Sequence, residues 1–306
     1  MIHTEGLRVS YRAGWRRSRL EALAGLDLRV EAGECVGLLG HNGAGKSTAL
    51  GCFLGLIRPT AGRVAILGQT PAAGAELFRH VGYLPEEPVY HGHLTVREAL
   101  TYYGRLQGVV DVEAASAPLL ERLDMARWRD LMVSRCSKGM KQKLGIVQCL
   151  LHAPRLLLLD EPMRGLDPVA VMAFRELLAD ANRAGTTIVM SSHLLGEVEQ
   201  LARRVVILDR GRLVADGTVA SLTRHREARY DVAIAATETW PPEIDGPVAV
   251  DGEVRGTVAP AALHGFFDRV RADRLTLISC ALERASLEEA YMSIVGDARR
   301  GEVSHG

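Results

Sequence analysis

The sequence predicts an α/β fold built on a parallel sheet, with a helical insertion and a second, small α+β unit behind it. Three observations lead there. An apolar run, Cys35-Val36-Gly37-Leu38-Leu39, feeds a glycine-rich turn that opens a helix near Lys46. Another, Leu156-Leu157-Leu158-Leu159, reads as a strand buried on both faces, as strands of a parallel sheet are. Past residue 222 the composition shifts and short alternating strands take over. A chain of 306 residues is long enough for two domains, drawn here as 1–222 and 223–306.

The elements follow in order. Leu7–Tyr11, Ala22–Val30 and Glu34–Leu39 read as strands, the second alternating apolar and polar as a half-buried strand does. The basic stretch Arg12–Arg19, which contains Trp15, reads as a solvated loop. Gly62–Gly68 and Val81–Leu84 are strands, the latter stopped by Pro85. Thr95 caps a helix to Leu106, with Glu98 completing a capping box, and Glu113–Leu123 is a further helix. Residues 90–150 are therefore a helical lobe, ending in a helix over Lys141–His152 with Ser137 as its N-cap. Pro168–Ala184 is a helix closed by Gly185, and Thr187–Ser192 a strand with His193 at its end. Val205–Leu208 and Arg212–Ala215 form a hairpin. In the appendage, Tyr230–Ala235, Val248–Asp251, Glu253–Val258 and Leu275–Cys280 read as strands, and Ala261–Val270 and Leu287–Val295 as helices. It carries no catalytic cluster, and His264 reads as structural.

Bulk properties exclude several classes. Hydrophobic residues make up 47%, enough for a proper core, and 37 basic residues balance 37 acidic ones. The first 222 residues hold 27 basic and 23 acidic residues and the rest 10 and 14, so charge does not point to nucleic acid. Cys35, Cys52, Cys136, Cys149 and Cys280 form no paired motif and read as small core residues in a reducing compartment. The first thirty residues lack a signal-peptide core, and apolar runs fall far below the roughly 20 residues a membrane span needs. A membrane role would need another subunit to supply the span.

The turn after Leu39 carries the chemistry. Gly40-His41-Asn42-Gly43-Ala44-Gly45-Lys46-Ser47-Thr48 fits the phosphate-loop pattern G-x-x-x-x-G-K-[ST] from Gly40 to Ser47. A strand, a glycine loop and a helix N-terminus aim backbone N–H groups at one point, where the helix adds partial positive charge. Lys46 would reach the β- and γ-phosphates of a nucleotide, and the Ser47 hydroxyl would take Mg²⁺. Asp160 and Glu161 stand together at the end of the four-leucine strand, where neighbouring carboxylates repel and lose hydration. A Mg²⁺–nucleotide complex would offset that: Asp160 on the metal side, Glu161 orienting or deprotonating water. Ser137 and Gly139 stand at another helix N-terminus, and His193 at another strand end, where ligands of parallel sheets bind.

Together and in this order, these features resemble the nucleotide-binding subunit of ATP-binding cassette (ABC) transporters over residues 1 to about 222. The resemblance implies a P-loop NTPase cassette: a RecA-like α/β core, an antiparallel β subdomain and an inserted helical subdomain. Leu156–Glu161 matches the second nucleotide motif, and Ser137-Lys138-Gly139-Met140 is similar to the family signature, with Cys136, Lys138 and Met140 where Leu, Gly and Gln are usual. Gly165-Leu166-Asp167 resembles the loop that links two subunits, His193 the switch histidine, and Tyr11 the aromatic that stacks on adenine. Glu86 stands where the family usually has a metal-contacting glutamine. The variant signature, Glu86 and the ending Leu287-Glu288-Glu289-Ala290-Tyr291 resemble a subgroup of separate exporter ATPases paired with short membrane subunits.

The resemblance implies an ATPase with Glu161 as general base, His193 on the γ-phosphate and Lys46 on the phosphates. Ser47, Asp160 and Glu86 would surround Mg²⁺. Two copies would sandwich two ATPs, the signature of one closing on the phosphate loop of the other. The implied partners are a second copy and a separate transmembrane permease at the cytoplasmic face of a bacterial membrane, with no nucleic acid. The alternatives are a non-transport ATPase of the same fold (DNA repair, translation or chromosome structure), a phosphate-loop kinase or GTPase, and import rather than export within the same family, against which Glu86 and the appendage stand. The first usually carries coiled coils or two cassettes; the second leaves the signature and His193 unexplained. The appendage reads either as a regulatory or dimer-holding domain, or as a brace whose Leu287, Tyr291 and Ile294 pack back on the cassette.

Overall fold

The computed structural model describes residues 1–13, 18–223, 229–237, 239–283 and 287–303. Trp15, read above as part of a solvated loop, lies outside them. The chain divides into two compact units, Met1–Val219 joined by the chain from Ile294, and Ala220–Ser293.

In the first unit, β1 (Ile2–Ala13), β2 (Ser18–Val30) and β4 (Ala61–Ile66) form an antiparallel sheet in the order β2-β1-β4. The main sheet contains β3 (Cys35–Leu39), β5 (Val81–Leu84), β6 (Leu156–Asp160), β7 (Thr187–Ser192), β8 (Arg204–Asp209) and β9 (Arg212–Thr218). Its order is β5-β6-β7-β3-β8-β9, all parallel except the β8–β9 hairpin. That hairpin turns through Arg210 and Gly211, both at positive φ, as a tight two-residue hairpin turn requires.

Alternation along the strands divides the core into two layers. Leu157 and Leu159 of β6, with Ile188 and Met190 of β7, face the helical side. Leu156, Leu158 and Val189 belong to the opposite layer, which also holds Phe53 and, from the antiparallel sheet, Leu7, Val9 and Leu26. A period of two places neighbours on opposite faces, so continuous apolar runs are what a sheet covered on both sides needs.

The helices are α1 (Lys46–Phe53), α2 (Ala75–Phe78), α3 (Val96–Leu106), α4 (Val112–Arg122), α5 (Lys138–Leu150), α6 (Pro168–Arg183), α7 (Leu195–Leu201) and α8 (Val219–Leu222). The Thr95–Glu98 capping box forms as expected. Helix α5 starts at Lys138, three residues earlier than the sequence reading, because the Ser137 hydroxyl accepts the Met140 N–H at 3.2 Å and closes the first turn there. Helix α7 was not foreseen: its seven residues offer too short a pattern to separate from a loop.

The second unit is the sheet β11 (Asp245–Val250), β12 (Glu253–Val258), β10 (Arg229–Ala235) and β13 (Leu277–Glu283), covered by α9 (Leu263–Ala272). Phe266 and Val270 of α9 pack with Val232, Ile234, Val254 and Val258. Helix α10 (Leu287–Val303) runs eight residues past the expected Val295, and its part from Ile294 belongs to the first unit. Among the described residues no helix is long and apolar enough to cross a membrane.

Gly82 of β5 sets how closely α5 approaches the sheet. A Cβ there would lie 2.3 Å from the Cys149 carbonyl oxygen and 2.8 Å from Leu157 Cδ1. Gly82→Ala is expected to destabilise the chain by about 1–3 kcal/mol, the usual cost of overpacking, measured as a lower urea midpoint at constant slope.

Candidate functional site

The C-terminal ends of β3, β6 and β7 meet at one edge of the main sheet. The phosphate loop leaves β3 there, Asp160 and Glu161 end β6, and His193 follows β7. A cleft of about 880 Å³ opens at this edge. Its lining includes Tyr11, His41, Asn42, Gly43, Gly45, Lys46, Ser47, Thr48, Glu86, Glu161 and His193.

The loop is built for close approach. Gly43 and Gly45 sit at φ +86° and +108°, where a side chain is strained. Behind Gly45, a Cβ would fall 2.6 Å from the Ala22 carbonyl oxygen, so β2 is in contact with the loop. Gly40 and Ala44 complete the turn without lining the cleft, and the Ala44 N–H donates to the His41 carbonyl at 3.0 Å.

Lys46 is buried, and its Nζ donates to the Gly40 carbonyl at 2.5 Å and lies 3.8 Å from Glu161 Oε1. Burial pushes its pKa down, while Glu161 and Asp160 push it back up. Glu161 Oε2 lies 2.7 Å from His193 Nδ1. An ionised carboxylate only accepts, so Nδ1 carries the proton and Nε2 is left for a ligand. One acid thus joins a buried lysine to a half-exposed histidine. Glu161 sits at φ +47°, a conformation costing a non-glycine residue roughly 1–3 kcal/mol and characteristic of functional sites.

Asp160 is buried, and its Oδ1 accepts from the Ser47 hydroxyl at 3.2 Å and the Ser191 hydroxyl at 2.5 Å. Ser47 and Asp160 therefore offer a paired set of hard oxygen donors, the type that suits Mg²⁺. Glu86 lines the same cleft, but its carboxylate pairs with the Arg164 guanidinium.

None of the signature residues Ser137, Lys138, Gly139 and Met140 lines this cleft, although Gly139 lies against Gly165, which does. Ser137 caps α5, Lys138 Nζ contacts Glu87 Oε1 at 2.7 Å, and Met140 packs on the helical-side core. Asp167 caps α6 by accepting the Ala170 N–H at 2.9 Å, which holds its carboxyl below the usual range, and it lies 3.4 Å from Lys143.

Comparison with known proteins accords with this geometry. Residues 23–164 match the family model described as ABC transporter. The bacitracin transport ATP-binding protein of Bacillus licheniformis is 32% identical over 287 residues, 90% of this chain and 93% of that protein. The chain belongs to the ABC transporter family. A Nod factor export ATP-binding protein of Burkholderia thailandensis is 38% identical over 201 residues, covering 65% of this chain and 66% of that protein. The solved structure of an ATP-binding subunit of an ABC transporter aligns with a TM-score of 0.67 at 34% identity, over 73% of this chain and 92% of that one. The protein is therefore an ABC transporter ATP-binding subunit with the α/β cassette fold that was expected, and the non-transport alternative is not favoured.

Several residues of this ABC cassette were invisible to motif reading. Asp209, buried at the end of β8, lies 2.9 Å from His41 Nε2 and so ties the phosphate loop to the β8–β9 turn. The Gly211 N–H reinforces that tie by donating to the Ala44 carbonyl at 2.9 Å. Glu197 of α7 also lines the cleft, its pKa raised chiefly by burial. Arg164 and Ser191 were missed as well. The sequence placed Asp209 only in a hairpin turn after an apolar strand, with no sign of its contact to His41.

His41→Ala and Asp209→Ala are each expected to weaken nucleotide binding by about 3- to 10-fold, equivalent to roughly 0.6–1.4 kcal/mol. The double variant should be little worse than either single one, read by titration calorimetry as a double-mutant cycle.

Proposed function

We propose that this chain hydrolyses ATP and uses the cycle to drive export through a separate membrane subunit. The observation that carries the reading is the contact series Lys46–Glu161–His193 at the mouth of the phosphate loop. Gly40–Thr48 would wrap the phosphates with backbone N–H groups, and Tyr11, half-exposed at the cleft, would stack on the base. Lys46 would exchange its carbonyl partners for phosphate oxygens. Glu161 would take the proton of the attacking water, and His193 Nε2 would meet the γ-phosphate.

Ser47 and Asp160 would hold Mg²⁺, with Glu86 reaching it only if Arg164 releases its carboxylate. The ion, when bound, neutralises charge on the β- and γ-phosphate oxygens.

Ser137–Met140 would act on the nucleotide held by a second copy. Support comes from their place at the N-terminus of a 13-residue helix, outside the lining of the chain's own cleft. Asp167, beside that helix, would line the contact between copies. Closing and opening such a pair is a two-state element able to move a permease bound at the cytoplasmic membrane face. Export is supported by the relative that serves Nod factor export and by the exporter-like features at Glu86 and in the signature. The appendage, residues 223–306, would serve as an accessory or regulatory domain.

Glu161→Gln should retain ATP binding, stabilise the nucleotide-bound pair and abolish phosphate release. Turnover at the wild-type rate would refute the assignment. Lys46→Ala should weaken nucleotide binding by about 100-fold or more, seen by calorimetry as loss of the binding heat.

A further inference from the structure

Ser191 belongs to no nucleotide motif, yet it touches both carboxylate residues that end β6. It is fully buried in β7, between β6 and β3, and is paired in register with Asp160 on one side and Leu38 on the other. Its hydroxyl lies 2.5 Å from Asp160 Oδ1 and 3.1 Å from the Glu161 amide nitrogen. The Ser191 carbonyl accepts the same amide at 3.2 Å. The chemistry of the partners assigns the proton. A backbone N–H can only donate, and an ionised carboxylate can only accept. The Ser191 hydroxyl therefore donates to Asp160 and accepts from Glu161. A single buried hydroxyl orients the acid paired with Ser47 and holds the amide of the acid at φ +47°.

The β7 backbone alone would do less. Any residue at position 191 supplies the carbonyl, but only a hydroxyl supplies a donor to Asp160 and a second acceptor for the Glu161 amide. Without it, Asp160 Oδ1 would keep only the longer bond from Ser47, a residue that the metal itself would engage.

We propose that Ser191 is a positioning residue for the reaction, its hydroxyl setting the metal-side carboxylate of Asp160 and the backbone from which Glu161 projects. This rests on the reading of Asp160 and Glu161 given under the proposed function. Outer-shell partners of this kind usually contribute about 10- to 100-fold to metal affinity or activity.

The test uses the full chain and three variants, Ser191→Ala, Ser191→Cys and Ser191→Thr. Mn²⁺ serves as the probe, titrated into chain loaded with a non-hydrolysable ATP analogue and followed by electron paramagnetic resonance. Nucleotide binding in EDTA and steady-state turnover are measured alongside. For Ser191→Ala the expected result is an about 10-fold weaker Mn²⁺ affinity and a similar fall in kcat. Metal-free nucleotide affinity should stay within about twofold, since the phosphate loop is not touched. Ser191→Cys, close in volume but a poor donor, should behave like alanine and carries the test if the alanine variant does not fold. Ser191→Thr should recover most of the Mn²⁺ affinity, which a merely space-filling role does not predict. Wild-type Mn²⁺ affinity and kcat in the alanine or cysteine variant would overturn the proposal. So would a parallel loss of metal-free nucleotide binding, which would mean general damage to the cleft. Glu161→Gln separates the two levels: if it abolishes turnover while Ser191→Ala is wild-type, only the positioning role fails. If Glu161→Gln itself turns over normally, the underlying reading fails first.

Discussion

The parallel hydrogen-bonded register of β3, β7 and β6 is the constraint on which the rest of the cassette depends. It aligns Leu39 with Ser192 and Asp160 with Ser191, so that the three chain segments bearing polar groups leave the sheet at one level. A slip of one residue would turn every side chain of a strand to the other face and send the buried leucines of β6 into the wrong layer. The hydrophobic layers on either side therefore police the register. The alignment of the polar groups is obtained as a consequence of core packing, and the polar edge needs no separate device to find it.

At that edge the balance of charge is unusual. Lys46, Asp160 and Glu161 are all largely removed from water, with one cation facing two anions. Each is satisfied by something nearby: Lys46 by loop carbonyls, Asp160 by two hydroxyls, Glu161 by His193 and the lysine. Such a network is closed but not tight, because carbonyl oxygens are weaker partners for an ammonium than phosphate oxygens are. A nucleotide polyanion fits as a replacement partner for Lys46. The loop that would receive it is braced from behind by β2 and by the β8–β9 turn, through Gly45, Gly211 and the His41–Asp209 pair. Bracing of this kind holds the amides in position before the ligand arrives, which lowers the ordering cost of binding.

A second group of contacts links the helical lobe to the cleft. Gln142 of α5 donates to the Pro162 carbonyl, Lys138 meets Glu87, and Lys143 meets Asp167. Gly139 lets the start of α5 approach the Gly165 carbonyl, where a Cβ would stand only 2.8 Å away. The residues after β5 and β6 are thus in direct contact with the helix that presents the signature. Exposed ion pairs among them contribute little to stability, but they are free to exchange partners.

Local chemistry made much of this legible beforehand. The phosphate loop, the Thr95–Glu98 capping box, the Ser137 cap and the four-leucine strand each depend on residues a few positions apart, and such signals survive in a linear string. So the fold class, most of the strands and helices, and the loop and paired acids at the cleft could be read from the sequence, while α7 and the cleft residues Arg164 and Glu197 could not. The contacts of Ser191 with Asp160, of His41 with Asp209 and of Arg164 with Glu86 could not. The first two span 31 and 168 positions and exist only once the sheet has its register, while the last depends on how the loops after β5 and β6 settle beside each other. Residue type and short spacing determine which groups can bind a phosphate; only the folded sheet decides which distant side chains hold those groups still, because hydrogen bonds form between neighbours in space and the sequence orders neighbours along the chain.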